Sequence, residues 1–327
     1  MHDGPPVMHD GPMDARRAGE QDVETWKREG WVVLHDLVPT DEIDAAVADL
    51  WTVFPKPDKF HDDPARFIPP GKDTETLRRG YPEMPEHGPG FRPEQHRWGH
   101  EFPFMGTGAL NRLYVHPTIV DFAERALETR DIRLYQSHVS ARYTGDADYE
   151  QPMHTDRNHS FLPAVAGPPW WHVEMFVYLS DVDLDCAPTH AVNLRDSLAR
   201  STNDIFFPGQ DPELYAVEQA AVAKRGSVLA YRNEVFHRGV NITRPRGSRF
   251  LLAVSFKGAD IDWIDYNAVQ SKSTHPGWTR FVEGSTPREL ELFGFPPPGH
   301  RVWTSELIDA TQVRYPHLDL DPWRDAL

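Results

Sequence analysis

A histidine and an aspartate that stand two residues apart, His154 and Asp156, are the residues of this chain best suited to hold a metal ion. On an extended strand, side chains at positions i and i+2 point to the same face, about 7 Å apart. Such a pair offers one metal ion an imidazole and a carboxylate. A second histidine from another strand, for which we choose His237, completes a facial triad and leaves coordination positions open for co-substrates and O2.

The His-x-Asp spacing by itself does not identify a site, because it occurs three times, at 61–63, 154–156 and 317–319. The first copy lies in an irregular, proline-rich stretch. The last lies near the C-terminus, with no strand after it that could bring in a second histidine. Only the copy at 154–156 stands among predicted strands and is followed by another candidate ligand, His237.

An arginine at the start of a later strand indicates an anion site. Arg249 shares one strand face with Leu251 and Ala253. A guanidinium that faces the interior of a barrel is costly unless it meets an anion, and a dicarboxylate co-substrate would supply one. Arg246, three residues earlier, is the alternative anchor.

The elements that must position these residues are strands in the second half of the chain and helices before them. Alternating or β-rich patterns predict strands over 132–139, 171–179, 227–231 and 250–256. Helices are predicted over 22–29, from a cap at Asp41 to Phe54, over 117–128 and over 212–221. Glycine motifs of nucleotide-binding folds are absent from the sequence. We therefore expect a mainly β protein, a sandwich or barrel with flanking helices.

Length and composition restrict the classes of function. The chain has 327 residues and 39% apolar side chains, and we expect one domain over 21–327 after a disordered tail at 1–20. Within it we predict core strands at about 131–257, an irregular lid at 55–107 and a C-terminal extension at 258–327. The formal net charge of -16 argues against nucleic acid and anionic membranes as partners. The single cysteine and the lack of a long apolar run predict a cytoplasmic protein.

Several segments in a fixed order resemble the phytanoyl-CoA dioxygenase family of Fe(II)/2-oxoglutarate-dependent oxygenases. These segments are Trp26–Val38, His154–Asp156, Phe176–Asp181, Gly226–Leu229, His237–Gly239 with Asn241, and Arg249. The resemblance implies a double-stranded β-helix (jelly-roll, cupin-like) core covered by N-terminal helices. It also implies that His154, Asp156 and His237 hold Fe(II), and that 2-oxoglutarate binds the iron and Arg249.

Further residues are assigned to the surroundings of the metal. Phe176 replaces a tryptophan that several members have near the co-substrate, and we assign Gln136 to the same pocket. We assign substrate contacts to His159, Trp171 and His172. Two other features depart from the family: the loop at 185–193 differs, and Gly239 stands where many members have a hydroxyl residue. Because Asp156 is present, a halogenase is disfavoured.

The sequence thus predicts an oxygenase that uses Fe(II), 2-oxoglutarate and O2 to oxidise a small organic metabolite, in natural-product tailoring. Hydroxylation, desaturation and oxidative cyclisation all stay open, and so does the oligomeric state. Oxidation of an acyl-CoA or other acyl substrate is one alternative. A cupin-like metal enzyme that does not use 2-oxoglutarate and a non-catalytic binding barrel are two others.

Overall fold

The computed structural model describes residues 17–68, 98–147, 149–156, 171–200, 204–259 and 276–327. The strands are β1 (Trp31–Leu34), β2 (Gly99–Glu101), β3 (Ile132–Tyr143), β4 (His172–Tyr178), β5 (Thr189–Ala191), β6 (Gln219–Ala221), β7 (Val228–Arg232), β8 (His237–Arg238) and β9 (Ser248–Gly258). The helices are α1 (Glu20–Glu29), α2 (Thr40–Leu50), α3 (Pro57–Asp62), α4 (Ala109–Arg112), α5 (Pro117–Ala126), α6 (Leu194–Leu198), α7 (Pro212–Ala216), α8 (Pro276–Glu283), α9 (Pro287–Glu291), α10 (Ser305–Arg314) and α11 (Asp321–Asp325).

The strands form two antiparallel sheets. The larger sheet has the order β1-β7-β4-β9-β3-β2, and the smaller has the order β6-β5-β8. The longest pairing joins β3 to β9, from Ile132 opposite Gly258 to Tyr143 opposite Ser248, with one register shift between Leu134 and Gln136. This arrangement confirms the predicted class of antiparallel strands with flanking helices.

The two faces of the larger sheet have different chemistry. On β4, Val173, Met175 and Val177 belong to the main apolar core, which also contains side chains of the helices. The alternate residues, Glu174 and Phe176, point to the opposite face because successive strand residues alternate. That second face, which we call the inner face, carries the candidate site.

Helix α1 shows how the N-terminal cover is fixed. Gly30 ends the helix in the left-handed conformation, with φ 83°, and its N–H donates to the Trp26 carbonyl at 2.9 Å. Trp26 is fully buried and makes an edge contact with Phe122 of α5 at 6.4 Å between ring centroids. Burial of a side chain of this size contributes roughly 1.5–3 kcal/mol to stability.

Three predicted boundaries change. Ala18, which was assigned to the tail, is 6% exposed, and its carbonyl accepts a hydrogen bond from Arg125 at 2.6 Å. Asp41 lies in the first turn of α2 and does not cap it, because that helix begins at Thr40. The helix predicted over 212–221 ends at Ala216, and the stretch from Gln219 pairs with β5 as strand β6.

The stretch 55–107 is more regular at its ends than predicted. The Phe60 ring of α3 stacks on Tyr143 at 4.1 Å between ring centroids, and β2 pairs with β3. Phe102, just after β2, is buried and contacts Phe281 of α8 at 5.0 Å between ring centroids. The middle of the predicted lid, 69–97, lies outside the described residues.

The C-terminal helices belong to the same core. Trp303 and Trp323 each donate an indole N–H to the Pro296 carbonyl, at 3.0 and 2.9 Å. The N–H of Leu134 on β3 donates to the Leu292 carbonyl at 2.5 Å, which ties the extension to the larger sheet. Among the described helices, none has both the length and the apolar character needed to cross a bilayer.

Candidate metal centre

Two histidines from different parts of the chain are brought together by a backbone bridge. His154 donates its N–H to the His237 carbonyl at 3.1 Å, and His237 donates to the His154 carbonyl at 2.9 Å. The centroids of the two imidazole rings are 4.4 Å apart. The antiparallel bridge therefore places both rings on one side of the backbone pair, as a shared metal requires.

Asp156 completes the cluster. One ligand atom from each of His154, Asp156 and His237 lies within 4.8 Å of the other two. The Nε2 atom of His237 is 3.5 Å from the Asp156 carboxylate. Within the described part of the chain, this is the cluster of at least three histidine, cysteine or acidic side chains with the spacing of a metal site.

The hydrogen bonds of the two imidazoles fix their tautomers. The Nδ1 atom of His154 is 2.9 Å from the Pro152 carbonyl, and that of His237 is 3.1 Å from the Val235 carbonyl. A carbonyl only accepts, so each Nδ1 carries the proton and each Nε2 is the basic nitrogen. A hydrogen bond from the second ring nitrogen orients histidine ligands of metals in this way, so the donor set fits a divalent cation.

Tyr231 orients the carboxylate. Its hydroxyl donates to Asp156 Oδ2 at 2.8 Å, and its ring lies 4.6 Å from the His237 ring between centroids. The pKa of Tyr231 is raised, mainly by burial. The phenol therefore stays protonated and can donate its hydrogen bond to Asp156. Sequence analysis missed this residue; its only signal was its place on a β-rich strand shortly before His237.

A cavity of about 210 Å³ adjoins the cluster. Its walls include the three candidate ligands and three further residues that the sequence assigned to co-substrate binding, Arg249, Phe176 and Gln136. Leu251 and Ala253 also line it, as their shared face with Arg249 predicted.

Arg249 is buried, with 1% of its surface exposed. One guanidinium nitrogen donates to the Ala187 carbonyl, while Nε has no hydrogen-bond partner. Burial lowers the pKa of Arg249. The alternative, Arg246, lies on the surface and pairs with Asp62 at 2.9 Å, so it does not face the cavity.

The three residues assigned to substrate have different positions. The Arg232 guanidinium stacks on the Trp171 ring, with 4.3 Å between the guanidinium carbon and the ring centroid. Trp171 does not line the cavity. His172 is buried beside Glu174, with 3.0 Å between Nδ1 and Oε1. His159 lies outside the described residues.

Sequence analysis also missed Arg142, which lines the cavity on β3. A signal was present. After the register shift, Gln136, His138, Ser140 and Arg142 occupy one face of the strand, and all of them line the cavity. An unbroken polar face on a strand whose opposite face carries Val139 and Ala141 indicates a polar interior site.

Comparison with known proteins concerns the fold. No protein-family model matches this chain, and no curated protein matches it. Among solved structures, the non-heme alpha-ketoglutarate-dependent carbocyclase SnoK from nogalamycin biosynthesis is similar, with a TM-score of 0.52 and 17% identity over 80% of this chain and 93% of that chain. The epimerase SnoN from the same biosynthesis has a TM-score of 0.45 and 14% identity over 76% of this chain and 89% of that chain. At 17% identity the likeness to SnoK concerns the fold alone, and the score of SnoN is too low to add to it.

Proposed function

We propose that this protein is a non-haem Fe(II)/2-oxoglutarate-dependent oxygenase that oxidises a small organic molecule. One observation carries the proposal: His154, Asp156 and His237 converge within 4.8 Å, in the same cavity as the buried Arg249. We also infer that the two sheets form a double-stranded β-helix, which the similarity in fold to SnoK supports. Residues 21–327 would then be one domain.

His154 and His237 would hold the iron through their Nε2 atoms, and Asp156 through its carboxylate. Three protein ligands leave coordination positions open, which is typical of iron sites that bind a co-substrate and O2 together. When bound, iron, 2-oxoglutarate and O2 supply the oxidant for an unactivated C–H bond, with release of succinate and CO2. Tyr231 would keep Asp156 in place by its hydrogen bond to Oδ2.

Arg249 would hold the far carboxylate of 2-oxoglutarate. Its guanidinium is buried in the cavity wall and retains an unused Nε–H. A carboxylate there would neutralise a charge that burial otherwise disfavours. Phe176 and Ala253, which pair across β4 and β9, would supply an apolar wall that excludes water from the reacting centre.

As the substrate class we propose an intermediate of natural-product biosynthesis, which the enzyme would modify in a tailoring step. SnoK, which shares the fold, is described as a carbocyclase of nogalamycin biosynthesis. Ring closure is therefore a candidate reaction for this protein, beside hydroxylation and desaturation. The acidic net charge of -16 favours a neutral or cationic substrate over an acyl-CoA.

The proposal is tested by anaerobic titration of the apoprotein with Fe(II) and then with 2-oxoglutarate. We expect a weak visible charge-transfer band that appears only when both are present, and succinate on admission of O2. A metal enzyme that does not use 2-oxoglutarate would bind Fe(II) but show neither the band nor succinate. Absence of the band in protein that has bound Fe(II) stoichiometrically would contradict the proposal.

A further inference from the structure

Two arginines of the cavity wall face each other, the buried Arg249 and the partly buried Arg142. Arg142 on β3 is the direct partner of Arg249 on β9 in the antiparallel pairing, and both line the cavity. Directly opposed side chains lie on the same sheet face, with Cβ atoms roughly 4.5–5.5 Å apart, and like charges in such positions are destabilising. The pair therefore costs stability unless something negative lies between the two guanidinium groups.

Among the described residues, the carboxylate whose charge favours protonated Arg142 is that of Glu150, a minor cause, and it forms its ion pair with Arg238 at 2.7 Å. Arg142 donates from Nη1 to the Val240 carbonyl at 3.3 Å, and its guanidinium lies 3.1 Å from the centroid of the Tyr149 ring. Arg249 has a carbonyl partner and an unpartnered Nε. Burial, with the charge of Arg249 as the next cause, lowers the pKa of Arg142 to about 9. Both groups are thus short of negative charge.

The neighbouring backbone is built to admit Arg142. A Cβ atom at Gly239 would come within 2.9 Å of Arg142 Nη2 and 2.7 Å of Tyr149 Cε1. Any side chain at position 239 would therefore displace the guanidinium or the ring on which it stacks. Gln151 closes the other side, since its Oε1 accepts the Gly239 N–H at 2.9 Å.

We propose that Arg142 is a second cationic contact for the far carboxylate of 2-oxoglutarate, shared with Arg249. The inference rests on the proposed function and adds to the site a residue that was not among the sequence predictions. One carboxylate has two oxygens and several lone pairs, so it can accept from two guanidinium groups at once. Two arginines would also make the cavity selective for a 2-oxo acid with a second carboxylate.

The test compares two ligands of equal carbon number. 2-Oxopentanoate has the 2-oxo acid end of 2-oxoglutarate but no second carboxylate. Affinities of both are measured by calorimetry on the anaerobic Fe(II) protein, for the wild type and for Arg142→Met, which removes the charge and keeps most of the volume. We expect roughly a 10- to 100-fold loss for 2-oxoglutarate and less than about a twofold change for 2-oxopentanoate.

A purely structural role for Arg142 would weaken both ligands alike, and that result would overturn the inference, as would an unchanged affinity for 2-oxoglutarate. Arg142→Lys keeps the charge and should retain part of the preference for the diacid, so it provides a reading if Arg142→Met does not fold. Arg249→Ala is measured in parallel. If both Arg249→Ala and Arg142→Met keep the wild-type preference for 2-oxoglutarate over 2-oxopentanoate, the co-substrate site itself is misplaced. If only Arg142→Met keeps that preference, this inference alone fails.

Discussion

The inner face of the larger sheet carries two buried polar regions with opposite character. In the first, Glu174 has both carboxylate oxygens engaged by hydroxyl groups, those of Tyr135 and Ser255, and lies against His172. In the second, around the cavity, Arg249 keeps an unpartnered Nε–H and faces a like charge. Both regions lie on the same strands, only a few residues apart along β4 and β9.

The difference shows which buried polar groups indicate function. The Glu174 region satisfies its polar groups internally, which explains how a fully buried acid is tolerated there. Around the cavity, basic nitrogens, a carboxylate and guanidinium groups converge from separate segments. These groups could bind a metal ion and an anion from outside the chain. Burial and polarity alone do not separate the two regions, whereas the hydrogen-bond partners do.

The largest effect is expected from Arg249→Ala, which removes a buried charge whose Nε has no hydrogen-bond partner in the cavity. A buried arginine–carboxylate pair contributes about 2–4 kcal/mol, so 2-oxoglutarate affinity should fall by roughly 30- to 1,000-fold. Fe(II) affinity should stay nearly constant, because Arg249 is not a ligand. Calorimetric titration measures both, with Arg246→Ala as the surface control. Loss of 2-oxoglutarate binding in the control and not in Arg249→Ala would show that the register of β9 is misassigned.

The Glu174 region should respond to pH instead of to ligand. Burial raises the pKa of Glu174 to about 8, above its ordinary value of 4.5. Between these values the folded state holds a proton that the unfolded state has released, so the free energy of unfolding falls as pH rises through this window. The slope contributed by this group is at most about 1.4 kcal/mol per pH unit.

Glu174→Gln removes that titration and should flatten the decline, so the stability difference from wild type should shrink between about pH 4.5 and pH 8. Denaturant unfolding at a series of pH values measures it. Identical pH slopes in the two proteins would show that Glu174 is not protonated in the folded state and that the region is not closed in the way described.

A smaller effect is expected from Tyr231→Phe, which removes one hydrogen bond to Asp156. Loss of a hydrogen bond that orients a metal ligand lowers metal affinity by roughly tenfold or more. Tyr178→Phe is the matched control, because its buried hydroxyl donates to the Ala221 carbonyl at 2.8 Å and not to a candidate metal ligand. Both variants should lose about 1 kcal/mol of stability, and only Tyr231→Phe should weaken Fe(II) binding. Equal iron affinities in the two variants would remove Tyr231 from the account.

The side chains that share one face of a strand could be predicted from the sequence, because they depend on local periodicity. The face shared by Arg249, Leu251 and Ala253 follows from the period of two along a strand, and these residues do line one cavity. The same rule argues against one of our predictions. Trp171 and His172 are consecutive, so an extended chain directs them to opposite faces, and only His172 lies on the inner face of β4.

What the sequence did not provide was the pairing between distant strands. Arg142 meets Arg249 only through the β3–β9 register, which includes a shift that no single strand reveals. The partners of Glu174 come from β3 and β9, far away in sequence. The strand β6 was predicted as helix, since its short stretch takes strand form only by pairing with β5.

The proposed iron site of His154, Asp156 and His237 is tested most directly by the Fe(II) affinity of Asp156→Ala. Asp319→Ala, in another of the three His-x-Asp copies, is the matched control. Loss of the charged ligand should lower Fe(II) affinity by at least roughly tenfold in Asp156→Ala, while Asp319→Ala binds like wild type. Unchanged iron binding by a folded Asp156→Ala protein would contradict the account.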